Sequence, residues 1–246
     1  MRIENEPPAL MLLFNEIRAL VRRAKRLGRV MKGQDIWVSA DALYPYRVLG
    51  NERASWAVCL DLINASSIVY SAGVGTDISF DCELIKRTSA KVFAFDPTPR
   101  SIDWLRGRSL PTQFAFFDYG LADFDGVAEF AAPTNPTNVS YSVVRKDLSR
   151  IDSIRAQVKK VSTIMRAFGH EYIDVLKMDI EGSEYSVIDS LLSERLPIRQ
   201  ILVEFHHRFL PSGVQKTKGA VEALRLAGYK IFFVSDTGEE YSFIRP

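Results

Sequence analysis

The pattern of apolar and polar residues predicts alternating helices and strands from about residue 54 to the end of the chain. Short apolar runs typical of buried strands occur at SSIVYSA, AKVFAFD, TQFAFFDYGL, IDVLKMD and QILVEFHH. Helices are predicted at ASWAVCLDLI, DISFDCELIKRT, the segment that starts at Thr98-Pro99, SEYSVIDSLLSER and VQKTKGAVEALRLAG. Strands that alternate with helices form a parallel sheet with helices on both faces.

The last two apolar runs, YKIFFVS and YSFIR, are separated only by the turn DTGE. Two strands joined by so short a turn must be antiparallel, because a parallel pair needs a long crossover. The sequence therefore predicts a Rossmann-like α/β fold. It has a mostly parallel central sheet, helices on both faces and a C-terminal antiparallel hairpin.

Residues 8–30 have the pattern of an amphipathic helix. Its apolar face carries Leu10, Leu13, Phe14, Ile17, Leu20 and Val21, and its basic residues are Arg18, Arg22, Arg23, Lys25, Arg26 and Arg29. We expect residues 1–53 to be an N-terminal extension, packed by the apolar stripe of this helix on a domain of residues 54–246. Peripheral contact with an anionic membrane surface, or with an acidic substrate, is the alternative.

The segment of roughly residues 120–162 is less regular, and we interpret it as an insertion in the domain. Asp125-Gly126 supplies a turn before a strand, PTNPTN is a polar loop, and VSYSVV and AQVKKVS are strand-like. Such segments often carry substrate-specific structure. Ser140 and Tyr141 are therefore candidates for the mouth of the substrate site.

Composition narrows the class of protein only slightly. The net charge of +2 predicts no nucleic-acid partner, and no apolar run approaches the roughly 18 to 20 residues of a membrane span. Glu4 and Glu6 precede only a short apolar stretch, so no signal peptide is expected. Cys59 and Cys82, the two cysteines, lie in segments predicted to be helical and do not form a disulfide framework. We therefore expect a cytoplasmic protein.

The segment VYSAGVGTDISFD joins a predicted strand to a predicted helix through Gly73 and Gly75, as in proteins that bind nucleotide-like cofactors. The dinucleotide fingerprint G-x-G-x-x-G needs a third glycine where this chain has Ile78, and Asp77 at the helix start would repel a pyrophosphate. S-adenosylmethionine has no phosphate, and the terminal hairpin is typical of class I methyltransferases. Asp77 is then expected to bind the amino group of this cofactor or to cap the helix.

A second cofactor anchor is predicted at Asp96, at the end of the next strand and about 20 residues after the glycines. A carboxylate at this position can accept hydrogen bonds from both ribose hydroxyls, and a turn residue before Thr98 is the alternative. Tyr119, at the end of the third strand, is a candidate for the adenine side. The complete set of candidate cofactor-binding residues is Ser71, Ala72, Gly73, Val74, Gly75, Asp77, Asp96, Pro97, Tyr119 and Asp179.

The stretch IDVLKMDIEGSEYSVIDSLL, residues 173–192, resembles the signature of FkbM-type methyltransferases, a pattern like D-V-L-K-x-D-x-E-G-x-E-x-x-V-L. Its distinctive positions are occupied by Asp174, Lys177, Asp179, Glu181, Gly182 and Glu184. VYSAGVGTDISFD and GLADFDGVAEF are similar to other parts of the family pattern. VSTIMRAFG lies where the family has a short connection before the fourth strand.

This resemblance covers roughly residues 55–245. It implies a class I methyltransferase fold, S-adenosylmethionine as cofactor, and O-methylation, often of sugar or polyketide-type hydroxyls. Ser71-Ala72 is a departure, because many methyltransferases carry an acid at the end of the first strand. Asp77 is the residue that can compensate for it.

The candidate catalytic residues lie at the ends of the fourth and fifth strands, where open α/β sheets bind ligands. They are Lys177, Asp179, Glu181, Glu204 and His206. A charge in a central strand is costly unless it is paired, so Lys177 is expected to meet Asp179, Glu181 or Glu204. A purely structural ion pair is the alternative.

His206 lies on the same strand face as Glu204. We expect its pKa to be near neutrality, so that it takes the proton of an acceptor hydroxyl, and a surface histidine bound to a loop carbonyl is the alternative. Glu184 is expected only to initiate a helix. Asp179, Glu181, Glu204 and His206 have the chemistry to bind a divalent ion, but no spacing demands one, and a metal-free site is expected.

Together these features predict an S-adenosylmethionine-dependent O-methyltransferase acting on a hydroxyl of a sugar, a glycan precursor or a related natural product. Two alternatives stay open. One is a nicotinamide-dependent oxidoreductase or epimerase. The other is a non-catalytic domain that docks on a membrane or an acidic partner through its N-terminal helix.

Overall fold

The computed structural model describes residues 9–52, 54–131, 142–143 and 153–246. The predictions for Ser140, Tyr141 and the PTNPTN loop fall outside these residues. The helices are α1 (Ala9–Met31), α2 (Ser79–Thr88), α3 (Pro99–Leu105), α4 (Val161–Phe168), α5 (Glu184–Ser193) and α6 (Gly213–Leu226), with a 3-10 turn at Leu60–Leu62. The strands are β1 (Arg47–Leu49), β2 (Trp56–Val58), β3 (Ile68–Ala72), β4 (Lys91–Phe95), β5 (Phe114–Phe117), β6 (Gly120–Leu121), β7 (Gly126–Ala131), β8 (Ser142–Val143), β9 (Ser153–Lys159), β10 (Ile173–Met178), β11 (Ile198–Glu204), β12 (Lys230–Val234) and β13 (Glu240–Ile244).

Seven strands form the central sheet, in the order β12-β13-β11-β10-β3-β4-β5. The strands from β11 to β5 are parallel, and β13 is antiparallel to both β11 and β12. The predicted parallel sheet with a C-terminal antiparallel hairpin is therefore confirmed. Strand order reverses between β3 and β10, and open α/β sheets bind ligands outside the carboxyl ends of the strands at such a point.

Buried side chains pack against both faces of this sheet. Helices α4, α5 and α6 cover one face, and α2 and α3 cover the other. Within β3 the adjacent residues Val69 and Tyr70 belong to different clusters, because successive side chains of a strand point to opposite faces. The prediction of helices on both faces is confirmed.

Two segments differ from their predicted structure. ASWAVCLDLI is not a helix: it forms β2, which pairs antiparallel with β1, and the 3-10 turn that follows. Trp56, Ala57 and Val58 are all buried, and an apolar run this short has no period that separates a strand from a helix. VSTIMRAFG is not a short connection but forms helix α4, which ends at Gly169 in the left-handed conformation.

The middle of the chain contributes a separate four-stranded sheet in the order β6-β9-β7-β8. Most of it comes from the antiparallel pairing of β7 with β9. Asp125 joins this sheet to α4, because its carboxylate accepts hydrogen bonds from the Lys160 amide at 2.9 Å and from the Thr163 hydroxyl at 2.8 Å. The predicted turn at Asp125-Gly126 thus also fixes the start of that helix.

From Phe14 onward, the apolar stripe of helix α1 does not pack on the rest of the chain. Four side chains of that stripe are largely exposed: Phe14, Ile17, Leu20 and Val21. The prediction that the stripe packs on the domain is therefore wrong for these side chains. Contact is made by another face of the helix, where the buried guanidinium of Arg26 donates to the Ile36 carbonyl at 3.0 Å.

The residues that follow α1 lie against the central sheet. Ile36 and Leu49 are buried, in the clusters on its two faces. The domain boundary at residue 53 stays a prediction. Among the helices of the described residues, none combines the length and the apolar character that crossing a bilayer requires.

Candidate functional site

A cavity of about 510 Å³ lies beyond the carboxyl ends of β3, β4 and β10. The segments that follow these three strands, residues 73–77, 96–98 and 179–181, form much of its wall. Other parts of the chain add Asn51, Ala54, Trp56, Phe95, Gly120, Leu121, Phe130, Lys177 and Ser183. The structure therefore brings the predicted cofactor segment and part of the predicted catalytic set to one cavity.

The glycine turn, residues 73–77, has a backbone that only glycine permits at its first position. Gly73 has a φ of +72°, and a Cβ built on it would lie 1.6 Å from the carbonyl oxygen of Asp179. Its amide donates to the Phe95 carbonyl at 2.9 Å. Backbone segments that follow three strands thus pack closely at Gly73, which fixes the position of the glycine turn in the cavity wall.

Asp96 is buried and ties the glycine turn to the start of α3. Its Oδ2 accepts a hydrogen bond from the Gly75 amide at 2.9 Å, and its Oδ1 accepts from the Thr98 amide at 2.9 Å and hydroxyl at 2.6 Å. The predicted alternative role as a turn residue is therefore present. A carboxylate offers about four acceptor positions, so about one is left for a ligand.

Asp77 caps the start of α2, one of the two roles predicted for it. Its Oδ1 accepts from the Ser79 amide at 2.8 Å, and its Oδ2 accepts from the side-chain amide of Asn51. Burial raises the pKa of Asp77, but the hydrogen bonds from Ser79 and Asn51 and the charge of Lys177 outweigh burial and lower it below its ordinary value. A fixed negative charge therefore lines the cavity beside the glycine turn.

Lys177 holds the main chain of the glycine turn rather than a carboxylate. Its buried ammonium donates to the Gly73 carbonyl at 2.7 Å and to the Ala72 carbonyl at 3.3 Å, and it lies 5.1 Å from the centre of the Trp56 ring. Among the described residues no carboxylate forms an ion pair with it, so the predicted pairing with Asp179, Glu181 or Glu204 is wrong. The carbonyls at the end of the neighbouring strand are nearer acceptors for its side chain.

His206 lies at the centre of a group of carboxylates, the His206 cluster. Its Nδ1 is 2.7 Å from Oε1 of the fully buried Glu184, and its Nε2 is 3.3 Å from Glu181, 3.6 Å from Asp179 and 3.9 Å from Glu204. Glu184 begins α5, as predicted. No sequence pattern indicated that Glu184 also positions His206.

Charge within the His206 cluster decides which group can accept a proton. Burial lowers the pKa of His206, but Glu184, Glu181 and Asp179 outweigh burial and raise it to about 10. The expected pKa near neutrality is therefore wrong, and His206 is an imidazolium at neutral pH. Burial and neighbouring acids raise the pKa of Glu204 to about 8, and burial raises that of Asp179 to about 6.

One group of donor atoms in the described residues is compact enough for a divalent ion. Single atoms of Asp179, Glu181 and His206 all lie within 4.8 Å of one another. The protonated imidazole already places positive charge among these carboxylates. The metal-free site stays a prediction.

The family model described as the methyltransferase FkbM domain matches residues 67–231, which include all three strand-end segments of the cavity wall. The chain belongs to the FkbM methyltransferase family. The resemblance inferred from the DVLKMDIEGSE stretch is confirmed.

Relatives of this FkbM domain are distant. The Probable methyltransferase-like protein 24 of Homo sapiens is 26% identical over 161 residues, which are 61% of this chain and 38% of the relative. The Hexuronic acid methyltransferase AglP of Haloferax volcanii is 24% identical over 182 residues, 72% of each chain. The chain thus spans well under half the length of the human relative. The solved structure of Methyltransferase FkbM from Methylobacillus flagellatus KT has a TM-score of 0.47 at 15% identity, over 74% of this chain and 44% of that chain.

Not every residue predicted for the FkbM site reaches the cavity wall. Ser71 and Ala72 are buried within β3, and His206 and Glu204 stand behind Asp179 and Glu181. Tyr119 is also outside the wall: its ring packs on those of Phe95 and Phe117 and under the ammonium of Lys159. The placement of Tyr119 gives its predicted adenine contact no support.

The wall residues that precede the FkbM domain were not predicted from the sequence. Asn51, Ala54 and Trp56 reach the cavity through the segment between β1 and β2. Only tertiary packing places them there, and no motif could have identified them. Glu181 was predicted as a site residue, but its backbone conformation was not. Its φ of +50° is unusual for a residue with a side chain, and such strain is common at functional sites.

Proposed function

We propose that this chain is an S-adenosylmethionine-dependent O-methyltransferase whose acceptor is a hydroxyl of a sugar or glycan precursor. The observation that carries the proposal is the shared cavity. The glycine turn and Asp96 border it on one side, and the acidic rim, the carboxylates of Asp179 and Glu181, borders it on the other. A donor on the glycine turn and a hydroxyl on the acidic rim would meet in one space. Membership of the FkbM family supports the same conclusion.

The residues of the cavity fit S-adenosylmethionine better than a dinucleotide. The main chain of the glycine turn lines the cavity as a cradle, and its position depends on the close packing of Gly73 on the Asp179 carbonyl. Asp96 has about one acceptor position left for a ribose hydroxyl. Asp77 keeps a negative charge beside the turn, which suits an amino group and repels a pyrophosphate. The Lys177 ammonium donates to two carbonyls of the chain itself, so these hydrogen bonds are not directed at a pyrophosphate.

When bound, S-adenosylmethionine supplies an electrophilic methyl group. The chain's part is to orient the acceptor oxygen and to remove its proton, and orientation alone contributes much of such an acceleration. Asp179 is our candidate base, because its carboxylate lines the cavity and is mostly ionised at neutral pH although burial raises its pKa. Glu181 is placed to accept a second hydroxyl hydrogen bond. His206 is already protonated and therefore acts as a positioning residue.

Two observations favour a sugar as the acceptor. Two carboxylates on one cavity wall are acceptors for neighbouring hydroxyl donors, which sugars present in pairs. The name of the Haloferax volcanii relative states that it methylates hexuronic acid. Both observations favour a polyhydroxylated acceptor over an isolated alcohol.

The test separates cofactor binding from chemistry. We expect calorimetric titration with S-adenosylhomocysteine to show binding to one site and titration with NAD⁺ to show none. With a panel of sugars and S-adenosylmethionine carrying a labelled methyl group, Asp179→Asn should retain binding of S-adenosylhomocysteine and lose methyl transfer. Binding of NAD⁺ without S-adenosylhomocysteine would overturn the cofactor assignment, and undiminished transfer by Asp179→Asn would overturn the base.

A further inference from the structure

Helix α1 carries its apolar face outward. Six large apolar side chains at helical spacing are at least 47% exposed, and we call them the outer stripe: Phe14, Ile17, Leu20, Val21, Leu27 and Met31. Exposed apolar residues scattered singly need no explanation, but a continuous stripe on one helix face marks an interaction surface. An amphipathic helix that served only the core would turn this stripe inward.

The outward orientation is fixed by specific contacts on the other side of the helix. Arg26 is 4% exposed, and its guanidinium donates to the carbonyls of Ile36 at 3.0 Å and Ser235 at 3.3 Å. Arg23 donates to the carboxylate of Asp236 at 2.6 Å. Rotating α1 to bury the outer stripe would break these bonds and would place Arg26 in water. The stripe is therefore presented to whatever lies outside the chain.

The charges that flank the outer stripe define what it can meet. Arg22, Lys25 and Arg29 are exposed, and Glu16 is the one acidic residue among the 23 residues of α1. A second copy of this helix would bring like charges together, with one carboxylate on each chain to offset them. An anionic bilayer surface suits both the basic flanks and the outer stripe, because its phosphates attract the basic side chains and its acyl region takes up the apolar ones.

We propose that α1 docks this protein on the surface of anionic membranes, with the outer stripe in the acyl boundary and the basic flanks at the headgroups. The helix is also connected to the cavity: Arg18 is 3.7 Å from Glu52, next to the wall residue Asn51. A docked chain would therefore hold the part of the cavity wall around Asn51 close to the bilayer. An acceptor anchored in that bilayer would then reach the site without leaving the surface.

Vesicle flotation of the whole chain tests the proposal. We expect binding to vesicles of phosphatidylcholine mixed with phosphatidylglycerol, little binding to phosphatidylcholine alone, and weaker binding as salt rises. Leu20→Glu should weaken binding by about tenfold or more, because a charge replaces buried apolar surface. Leu226→Glu is the matched control, since Leu226 is 83% exposed on α6, and it should bind like the unaltered protein.

Three results would overturn the proposal. They are equal binding to both kinds of vesicle, equal binding by Leu20→Glu and Leu226→Glu, and absence of binding to anionic vesicles. In the last case, a dimeric mass in light scattering that Leu20→Glu reduces to a monomeric one would assign the outer stripe to a second copy of the chain. Both variants change exposed side chains, so thermal unfolding should be the same for each and would detect misfolding. Reversing the flanking charge in Arg22→Glu should lower binding to anionic vesicles and should leave the weak binding to phosphatidylcholine unchanged.

Discussion

Replacement of Gly73 by alanine is the sharpest perturbation of the cofactor cradle. Its φ of +72° costs a residue with a Cβ about 1–2 kcal/mol. The new Cβ would also lie 1.6 Å from the Asp179 carbonyl oxygen, so the turn after β3 or the segment after β10 must move. Overpacking of this kind adds about 1–3 kcal/mol. We expect Gly73→Ala to lower the free energy of unfolding by about 2–5 kcal/mol and to weaken S-adenosylhomocysteine binding by more than about tenfold.

Gly107→Ala is the matched control for this experiment. Gly107 has a similar φ of +78°, but nothing lies within 4 Å of a Cβ built on it. It should lose only the conformational contribution of about 1–2 kcal/mol and should keep full affinity for S-adenosylhomocysteine. Urea unfolding and calorimetric titration measure the two quantities. If Gly73→Ala bound S-adenosylhomocysteine as tightly as Gly107→Ala does, the main chain at residue 73 would not be the cradle, and the cofactor assignment would fail with it.

Three further predictions follow from the charged groups. The kcat/KM for methyl transfer should rise with pH as Asp179 ionises, with a midpoint near the pKa of about 6 to which burial raises it; a pH profile without a limb in that region would exclude Asp179 as the base. Addition of EDTA should leave turnover unchanged, since the imidazolium of His206 already supplies positive charge among the carboxylates; restoration of lost activity by Mn²⁺ or Mg²⁺ would show that a metal is required. Burial raises the pKa of Asp35, but hydrogen bonds from His207 and Arg208 outweigh burial and lower it. The ionised Asp35 therefore contributes to stability above its unfolded pKa of about 3.8, and this contribution is lost as pH falls through the lower folded value. Asp35→Asn should therefore cost about 3–5 kcal/mol at pH 7, and the difference from the unaltered protein should shrink in urea unfolding below about pH 4.

The periodic parts of the fold were predictable because their patterns have a single physical explanation. The apolar runs of β3, β4, β10 and β11 are each bounded by turn residues, and the short DTGE turn permits only an antiparallel pair. The prediction was wrong for β2, where every side chain is buried, and a uniformly apolar run carries no period. It was wrong also for the apolar stripe of α1. An amphipathic pattern shows that a stripe exists but does not show whether the stripe faces the core or an outside surface.

Prediction of the site depended on whether a residue acts through its position on a strand or through its neighbours in space. Strand ends placed Asp96, Asp179 and Glu181 at the cavity wall, as expected. Strand position also placed Lys177 near enough to Asp179 to lower its pKa, but the ammonium of Lys177 donates to the carbonyls of Ala72 and Gly73. His206 was expected to be a base because it is a histidine, and only the tertiary arrangement of Glu184, Glu181 and Asp179 around it makes it an imidazolium.

Asp179 stands between the two buried cations of the site, and this placement sets its strength as a base. Burial and the nearby charge of Glu181 raise its pKa, while Lys177 on one side and His206 on the other lower it. Loss of either cation would therefore raise the pKa of Asp179 further, and exposure of its carboxylate to water would lower it. Neither cation is free to leave, since Lys177 is bound to the glycine turn and His206 to Glu184. Lys177, which holds the glycine turn, and His206, which lies behind the acidic rim, therefore also set the pKa of Asp179. This dependence explains why one short stretch, LKMDIEGSE, holds so many of the charged residues of the site.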